Sequence, residues 1–357
     1  MVYRNPSPHL RSVVAYHPSL SLLSNEEFLA TFDIGQAVEA FDYHTVVARS
    51  TDRGKTWELE GPLLKDVPPL TTHSVRTSRS GDGSIIGFGG FYRRTPEVDL
   101  VNRQTFGLVP VDLFTVGSTD DGRTWTSPRM VEPPLVGPSW EICHSIVETG
   151  NGRWIAPTST WRSWDGNDYP GDRAVVLISD DRAGSWSNCG ITFDGRKTQL
   201  SYLEQSVVNL NDEALLAVSW VYDLETGNTK PSVYSISRDR GATFTEPRLT
   251  GFESQTCKVL RLFDGRLLCV HRSNDRPGLW ATLARLEGDN WMNLTDAPLW
   301  QGAESGMKGT GNSADELSGL RFGHPSLRQT SDEEVLILFW CQEQCLTNIR
   351  WIKLRLD

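Results

Sequence analysis

A chain of 357 residues with 38% hydrophobic side chains and 31 glycines has ordinary globular composition, which excludes a largely disordered protein. Its 35 lysines and arginines against 45 acids leave a net charge of −10 with no basic run, so no nucleic-acid partner is expected. No stretch approaches the ~20 apolar residues of a membrane helix, so no membrane partner is expected either.

The opening residues, Met1-Val2-Tyr3-Arg4-Asn5-Pro6-Ser7-Pro8, show no apolar core followed by a cleavage site. A cytoplasmic location is the expectation, or a secreted or periplasmic one if a leader precedes this segment. Hairpin-like segments then recur along the chain. They open at His17 (turn near Asn25), His73 (Gly81-Asp82-Gly83), His144 (Gly150-Asn151-Gly152), Gln205 (Asn211-Asp212), Gln255 (Asp264-Gly265) and His324 (Ser331-Asp332). A second repeat lies between them. Ser50-Thr51-Asp52-Arg53-Gly54-Lys55-Thr56-Trp57 returns as Ser118-Thr119-Asp120-Asp121-Gly122-Arg123-Thr124-Trp125 and as Ser237-Arg238-Asp239-Arg240-Gly241-Ala242-Thr243-Phe244. A drifted copy runs from Ser179 through Asp181 and Ala183 to Trp186. Each follows a strand-like run such as Thr45–Arg49, and Ser, Asp and Gly are the residues of a tight strand-to-strand turn. The six cysteines show no disulfide spacing, so reduced thiols are expected. The 13 tryptophans equal the phenylalanines in number, which suggests either repeated packing or stacking on sugar rings.

The octamer resembles the Asp box, or BNR repeat, of the sialidase superfamily. That resemblance implies an all-β fold: a six-bladed β-propeller of four-stranded antiparallel blades. It implies a single domain over residues 1–357, with inner strands starting near 17, 73, 144, 205, 255 and 324. The boxes would join third to fourth strands away from the ligand, making Asp52, Asp120, Asp181 and Asp239 structural. The last hairpin lacks a box, and its blade is expected to take an outer strand from residues 1–14, closing the ring.

In such a blade the start of the first strand and the end of the second share one face. The expected catalytic groups there are His73, His144, Glu204, Asp33 and Asp165. The expected substrate-binding groups are His17, His324, Arg162, Arg272, Tyr92, Trp161, Trp220, Gln205 and Gln255. Four histidines at one repeat position carry three readings: an inter-blade hydrogen bond copied by duplication, a metal site, or general acid–base chemistry. No local ligand spacing supports a metal, and no cofactor is expected. Acid–base chemistry is the reading adopted, with His73 and His144 foremost. The arginines suit a carboxylate clamp or a solvated loop, and the tryptophans suit sugar stacking or packing between blades.

Against sialidases, the arginine of the opening Phe/Tyr-Arg-Ile-Pro is replaced in Ala15-Tyr16-His17-Pro18. Glu204 matches the glutamate that activates a tyrosine nucleophile, but His324 stands where that tyrosine belongs. The resemblance therefore implies a sialidase-like enzyme, an exo-acting glycoside hydrolase on an acidic or modified sugar. A uronate lyase using His or Tyr92 with Arg, a metal-dependent hydrolase and a non-catalytic sugar-binding propeller are the alternatives. Loops 92–107 and 301–320 are expected on the pocket face.

Overall fold

The computed structural model describes residues 1–38, 40–96, 98–142, 144–167, 172–273, 275–303 and 319–356. Among the described residues the regular structure is strand apart from one 3-10 turn at Gly150–Gly152, and no helix is long and apolar enough to cross a membrane. Blade 1 holds β1 (Val14–Leu22), β2 (Phe28–Gly35), β3 (His44–Ser50) and β4 (Glu58–Pro62). Blade 2 holds β5 (Thr71–Arg79), β6 (Ile85–Arg93), β7 (Val111–Ser118) and β8 (Arg129–Met130). In blade 3 the inner strand is split into β9 (Ser139–Glu141) and β10 (Val147–Glu148), followed by β11 (Trp154–Trp161), β12 (Arg173–Ser179) and β13 (Asn188–Asp194). Blade 4 holds β14 (Leu200–Asn209), β15 (Leu215–Asp223), β16 (Thr229–Ser237) and β17 (Arg248–Leu249). Blade 5 holds β18 (Gln255–Arg261), β19 (Leu267–Arg272), β20 (Leu279–Glu287) and β21 (Asn290–Trp300), and blade 6 holds β22 (Phe322–Ser331), β23 (Glu334–Glu343) and β24 (Leu346–Arg355). Strands within each sheet follow chain order and pair antiparallel, the arrangement of a six-bladed β-propeller.

Contacts divide the chain into two compact units. The first takes Met1–Leu100, Val111–Val131 and His324–Asp357; the second takes Val101–Pro110 and Glu132–Gly323. In the first, Leu29, Val75, Ile85 and Phe114 form a core between blades 1 and 2. In the second, Ile155, Val176, Tyr202 and Ala217 join blades 3 and 4, while Leu216, Val218, Cys257 and Cys269 join blades 4 and 5. Each fully buried Leu, Ile or Val contributes roughly 1.5–3 kcal/mol. Blade 6 gains its outer partner from the N-terminus: Tyr3 bridges Ile349, with backbone bonds in both directions.

The Asp boxes join third to fourth strands in blades 1 to 4, and each satisfies its own turn. In blade 4, buried Ser237 accepts from Gly241 N–H at 2.8 Å and bonds Asp239, which receives Thr243 N–H at 2.9 Å. Ser50, Ser118 and Ser179 repeat the pattern. Hydrogen bonds to Thr56 and Thr124 hold the Asp52 and Asp120 carboxyls down at about 2. The turn needs two successive left-handed residues: Asp121 at φ 57° and Gly122 at φ 79° in the second copy. A Cβ on Gly122 would stand 2.9 Å from Leu29 Cδ2, so a larger residue there must displace Leu29 as well as adopt the left-handed backbone. Ala183 takes this place in the drifted copy, at φ 66°.

A second local feature recurs on the inner strands. Register shifts interrupt the pairing between Tyr16 and Ser19, Leu203 and Ser206, and Gln255 and Lys258. His17, Glu204 and Thr256 sit in these bulges with φ of 53°, 47° and 51°, and His324 on β22 has φ 48°. A left-handed L-residue costs roughly 1–2 kcal/mol, and bulges of this kind re-aim side chains. Sequence patterning matched His17 and His324 to Gln205 and Gln255; the backbone matches them to Glu204 and Thr256. The discrepancy is one residue in each case.

Candidate active site

Two polar clusters lie at the ends of inner strands, one in each unit. In the first, Asp33 at the end of β2 is fully buried and ringed by donors. Thr45 Oγ1 reaches Oδ1 at 2.6 Å; Ser74 Oγ, Arg76 Nη1 and Tyr43 OH reach Oδ2 at 2.5, 3.0 and 3.3 Å. His17 Nδ1 stands 3.3 Å from the same oxygen and 3.0 Å from Tyr43 OH. Burial alone would raise the Asp33 pKa, but the Arg76 charge and these hydrogen bonds hold it well below the usual carboxylate range. Asp33 is therefore held as a buried anion by its neighbours. The His17 side chain keeps 30% exposure, and its ring meets that of His324 edge-on at 5.0 Å. A hydrogen on Nδ1 directed at Asp33 would leave the lone pair of a neutral ring on Nε2. Tyr92 lies close enough for its charge to bear on Tyr43 and Arg76.

In the second unit, Glu204 occupies the bulge of β14. Its backbone N–H donates to both oxygens of Glu141, at 3.1 and 2.9 Å. Its own Oε2 is shut off from solvent and has no hydrogen-bond partner among the described residues. Arg272 ends β19, almost wholly buried, donating from Nε to Gln255 Oε1 at 3.0 Å and from Nη1 to Phe322 O at 2.8 Å. A Cβ on Gly323 would stand 2.4 Å from Nη1, so the glycine admits the guanidinium. Burial pulls the Arg272 pKa down to about 10 and the Glu204 charge pushes back, leaving a cation at neutral pH.

Several predicted residues have other work. His73 is buried on β5, and its Nε2 accepts from Thr45 N–H at 3.4 Å; burial lowers its pKa to about 4. His144, between β9 and β10, approaches Ser145 O with Nδ1 at 2.7 Å and accepts Val207 N–H on Nε2 at 3.4 Å. Burial, then the Lys258 charge, lowers it to about 3. Each ring thus bonds a backbone N–H of the neighbouring blade, the contact that the duplication reading expects. Gln205 is buried and its amide is engaged internally: Nε2 donates to Thr158 O and Val175 O at 2.7 Å, and Oε1 accepts from Thr192. Gln255 braces Arg272. Trp220 is buried, with its N–H directed at Thr229, so it offers no platform for a sugar. Trp161 donates to Phe106 O at 2.9 Å and Arg162 to Thr105 O at 3.1 Å, clamping the 101–110 segment. Asp165 is exposed in the turn after β11. Residues 304–318 of the second expected loop lie outside the described residues.

Glu141, Tyr43 and Ser74 went unread in the sequence, because each acts through a contact distant along the chain. Among the described residues no three His, Cys, Asp or Glu side chains are grouped to hold a metal. Clefts of about 270 Å³ beside Trp125 and about 570 Å³ beside Arg276 are lined by none of the candidates. The candidate side chains are gathered in the hydrogen-bonded clusters rather than in these hollows.

The fold and its boxes define an Asp-box propeller of the sialidase superfamily. Residues 101–337 match the BNR repeat-like domain, and the chain belongs to that family. No curated protein sequence matches it. A protein of unknown function from Dyadobacter fermentans is similar in structure, with 20% identity, TM-score 0.73, and coverage of 98% of this chain and 96% of its own. The Hadza microbial sialidase Hz136 has 16% identity and TM-score 0.70, over 99% of this chain and 68% of its own. An alpha-L-arabinanase from Penicillium chrysogenum, solved with arabinobiose, has 15% identity and TM-score 0.63, over 98% and 96%. At such identities the likeness is one of fold.

Proposed function

We propose that the protein is a glycoside hydrolase in which Glu204 is the reacting carboxylate and Glu141 its partner. The observation that carries this reading is Glu204 Oε2, enclosed without a hydrogen-bond partner on a strained bulge beside Arg272. A buried carboxylate oxygen with no donor costs several kcal/mol, a deficit that a sugar hydroxyl or glycosidic oxygen would remove. Glycoside hydrolysis needs two carboxyl groups, one to protonate the leaving oxygen and one to act as nucleophile or activate water. Glu141 holds the Glu204 backbone through both oxygens, fixing the pair. Arg272 supplies a cation against charge on Glu204, and is the group that favours an acidic sugar; Arg162 is committed to Thr105. The propeller similarity to a sialidase and an arabinanase supports carbohydrate as the substrate class. Turnover of a panel of nitrophenyl glycosides, uronides and sialosides should fall ~10²–10⁴-fold in Glu204→Gln with the fold intact. Unchanged turnover would refute the assignment.

His17 with Asp33 favours a second reading, proton abstraction next to a carboxylate. The buried anion orients the imidazole as in other base–orienter pairs. A uronate lyase would release an ultraviolet-absorbing unsaturated product, and His17→Ala would abolish it. Hydrolysis without that absorbance excludes this reading.

A further inference from the structure

The opposite end of the first unit's inner strands holds charge that the proposed chemistry does not use. β1 packs against β5 on one side and β23 and β24 on the other. Leu20 N–H donates to Ser326 Oγ of β22 at 3.0 Å, and Thr31 shares a 3.0 Å hydrogen bond with Thr77 of β5. Two residues beyond these ties come Arg328 on β22 and Arg79 on β5, flanking the last residues of β1. Ser21 pairs with Leu29 and Arg79 with Ile85, and Leu29 and Ile85 share one core cluster. Residues paired across a ladder point to the same face, so Ser21 and Arg79 face one another.

Among the described residues no carboxylate pairs with either arginine, and no group bonds the Ser21 hydroxyl. Arg328 Nε has no exposed surface and no hydrogen-bond partner, and the same holds for Ser21 Oγ, on a residue with 0% exposure. Arg79 gives one 3.4 Å bond to Gly83 O. Among the described residues, neither guanidinium forms an ion pair. Four of the acids at this end are paired with other cations: Glu27 and Glu60 with Arg49, Glu26 with Arg53, Glu334 with Lys353. Arg328 feels burial first and the Arg79 charge second, both lowering its pKa. Two like charges left beside a closed-off hydroxyl are costly unless an anion joins them.

We propose that Arg328, Arg79 and Ser21 form a binding site for a small oxyanion at the Asp-box end of the first unit. Guanidinium groups bind phosphate, sulfate and carboxylate oxygens alike, and the hydroxyl adds one further donor. The site is separate from Glu204, and its occupant would act as a structural ion or as the anionic group of a bound ligand.

Titration calorimetry and thermal unfolding of the full chain test it, with inorganic phosphate, sulfate and acetate each compared with chloride at matched ionic strength. Saturable binding and a concentration-dependent rise in midpoint are expected. Arg328→Gln should weaken binding ~100-fold, and Ser21→Ala ~10-fold with its folding unaffected, the loss of one charge-assisted hydrogen bond. Glu204→Gln should bind as wild type does, separating this site from the proposed catalytic one. Response to phosphate and sulfate identifies a tetrahedral ion, and response to acetate alone a carboxylate; either supports the site. No response beyond chloride, or an undiminished response in Ser21→Ala, overturns it.

Discussion

Replacing His73 by glutamine separates a structural pin from a catalytic group. The ring is 3% exposed, and burial lowers its pKa from 6.5 to about 4. The unfolded chain therefore takes up a proton near pH 6.5 that the folded chain accepts only near pH 4. Between those values the unfolded state binds more protons, so stability is full above pH 6.5 and falls as pH is lowered through the window. At 1.36 kcal/mol per pKa unit, the loss attributable to His73 reaches about 3 kcal/mol. Glutamine offers an oxygen to Thr45 N–H but no titrating group. Urea unfolding of both proteins at intervals from pH 7.5 to 4.5 measures the difference. His144 and His271, lowered to about 3 and about 4, titrate in both and cancel. The variant should start somewhat less stable than wild type and gain on it by roughly 2–3 kcal/mol as the pH falls. A gap independent of pH would mean that His73 titrates normally, and the pin assignment would fail.

Ser237→Ala leaves Gly241 N–H buried without its acceptor and should lower stability by about 1–3 kcal/mol, read by denaturant midpoint, while turnover by the folded protein stays constant. A loss of turnover at unchanged stability would contradict a structural role for the boxes. Gly122→Ala adds left-handed strain of roughly 1–2 kcal/mol and a contact with Leu29. A midpoint equal to wild type would show that the second box tolerates what the drifted copy at Ala183 already carries.

The boxes were legible because their turns are self-contained: the bonds that Ser50, Asp52, Gly54, Thr56 and Trp57 make to close the turn lie inside one octamer. Blade count followed from the same locality. The site was only partly legible, since its geometry depends on backbone conformation that residue type does not encode. Histidine, glutamate and threonine all occupy the left-handed bulge, so matching like with like set Gln205 and Gln255 beside His17 when Glu204 and Thr256 belong there. A one-residue slip in a strand exchanges a buried face for its opposite, which is why Gln205 proved to be internal. Glu141 had no local signal at all, since its partner Glu204 is brought to it by blade packing.

The pairing of Tyr3 with Ile349 also sets an order of events during synthesis. The first unit is discontinuous, its early portion and residues 324 onward being separated by nearly all of the second. At ~5–20 residues per second, Tyr3 leaves the ribosome roughly 20–70 s before its partner strand is made. Throughout that interval blades 1 and 2 lack the neighbour that β23 and β24 provide to β1, whereas the second unit emerges as one almost unbroken run. The later-made unit can therefore finish first, and the nascent N-terminal blades spend the longest time exposed to chaperones and to wrong partners.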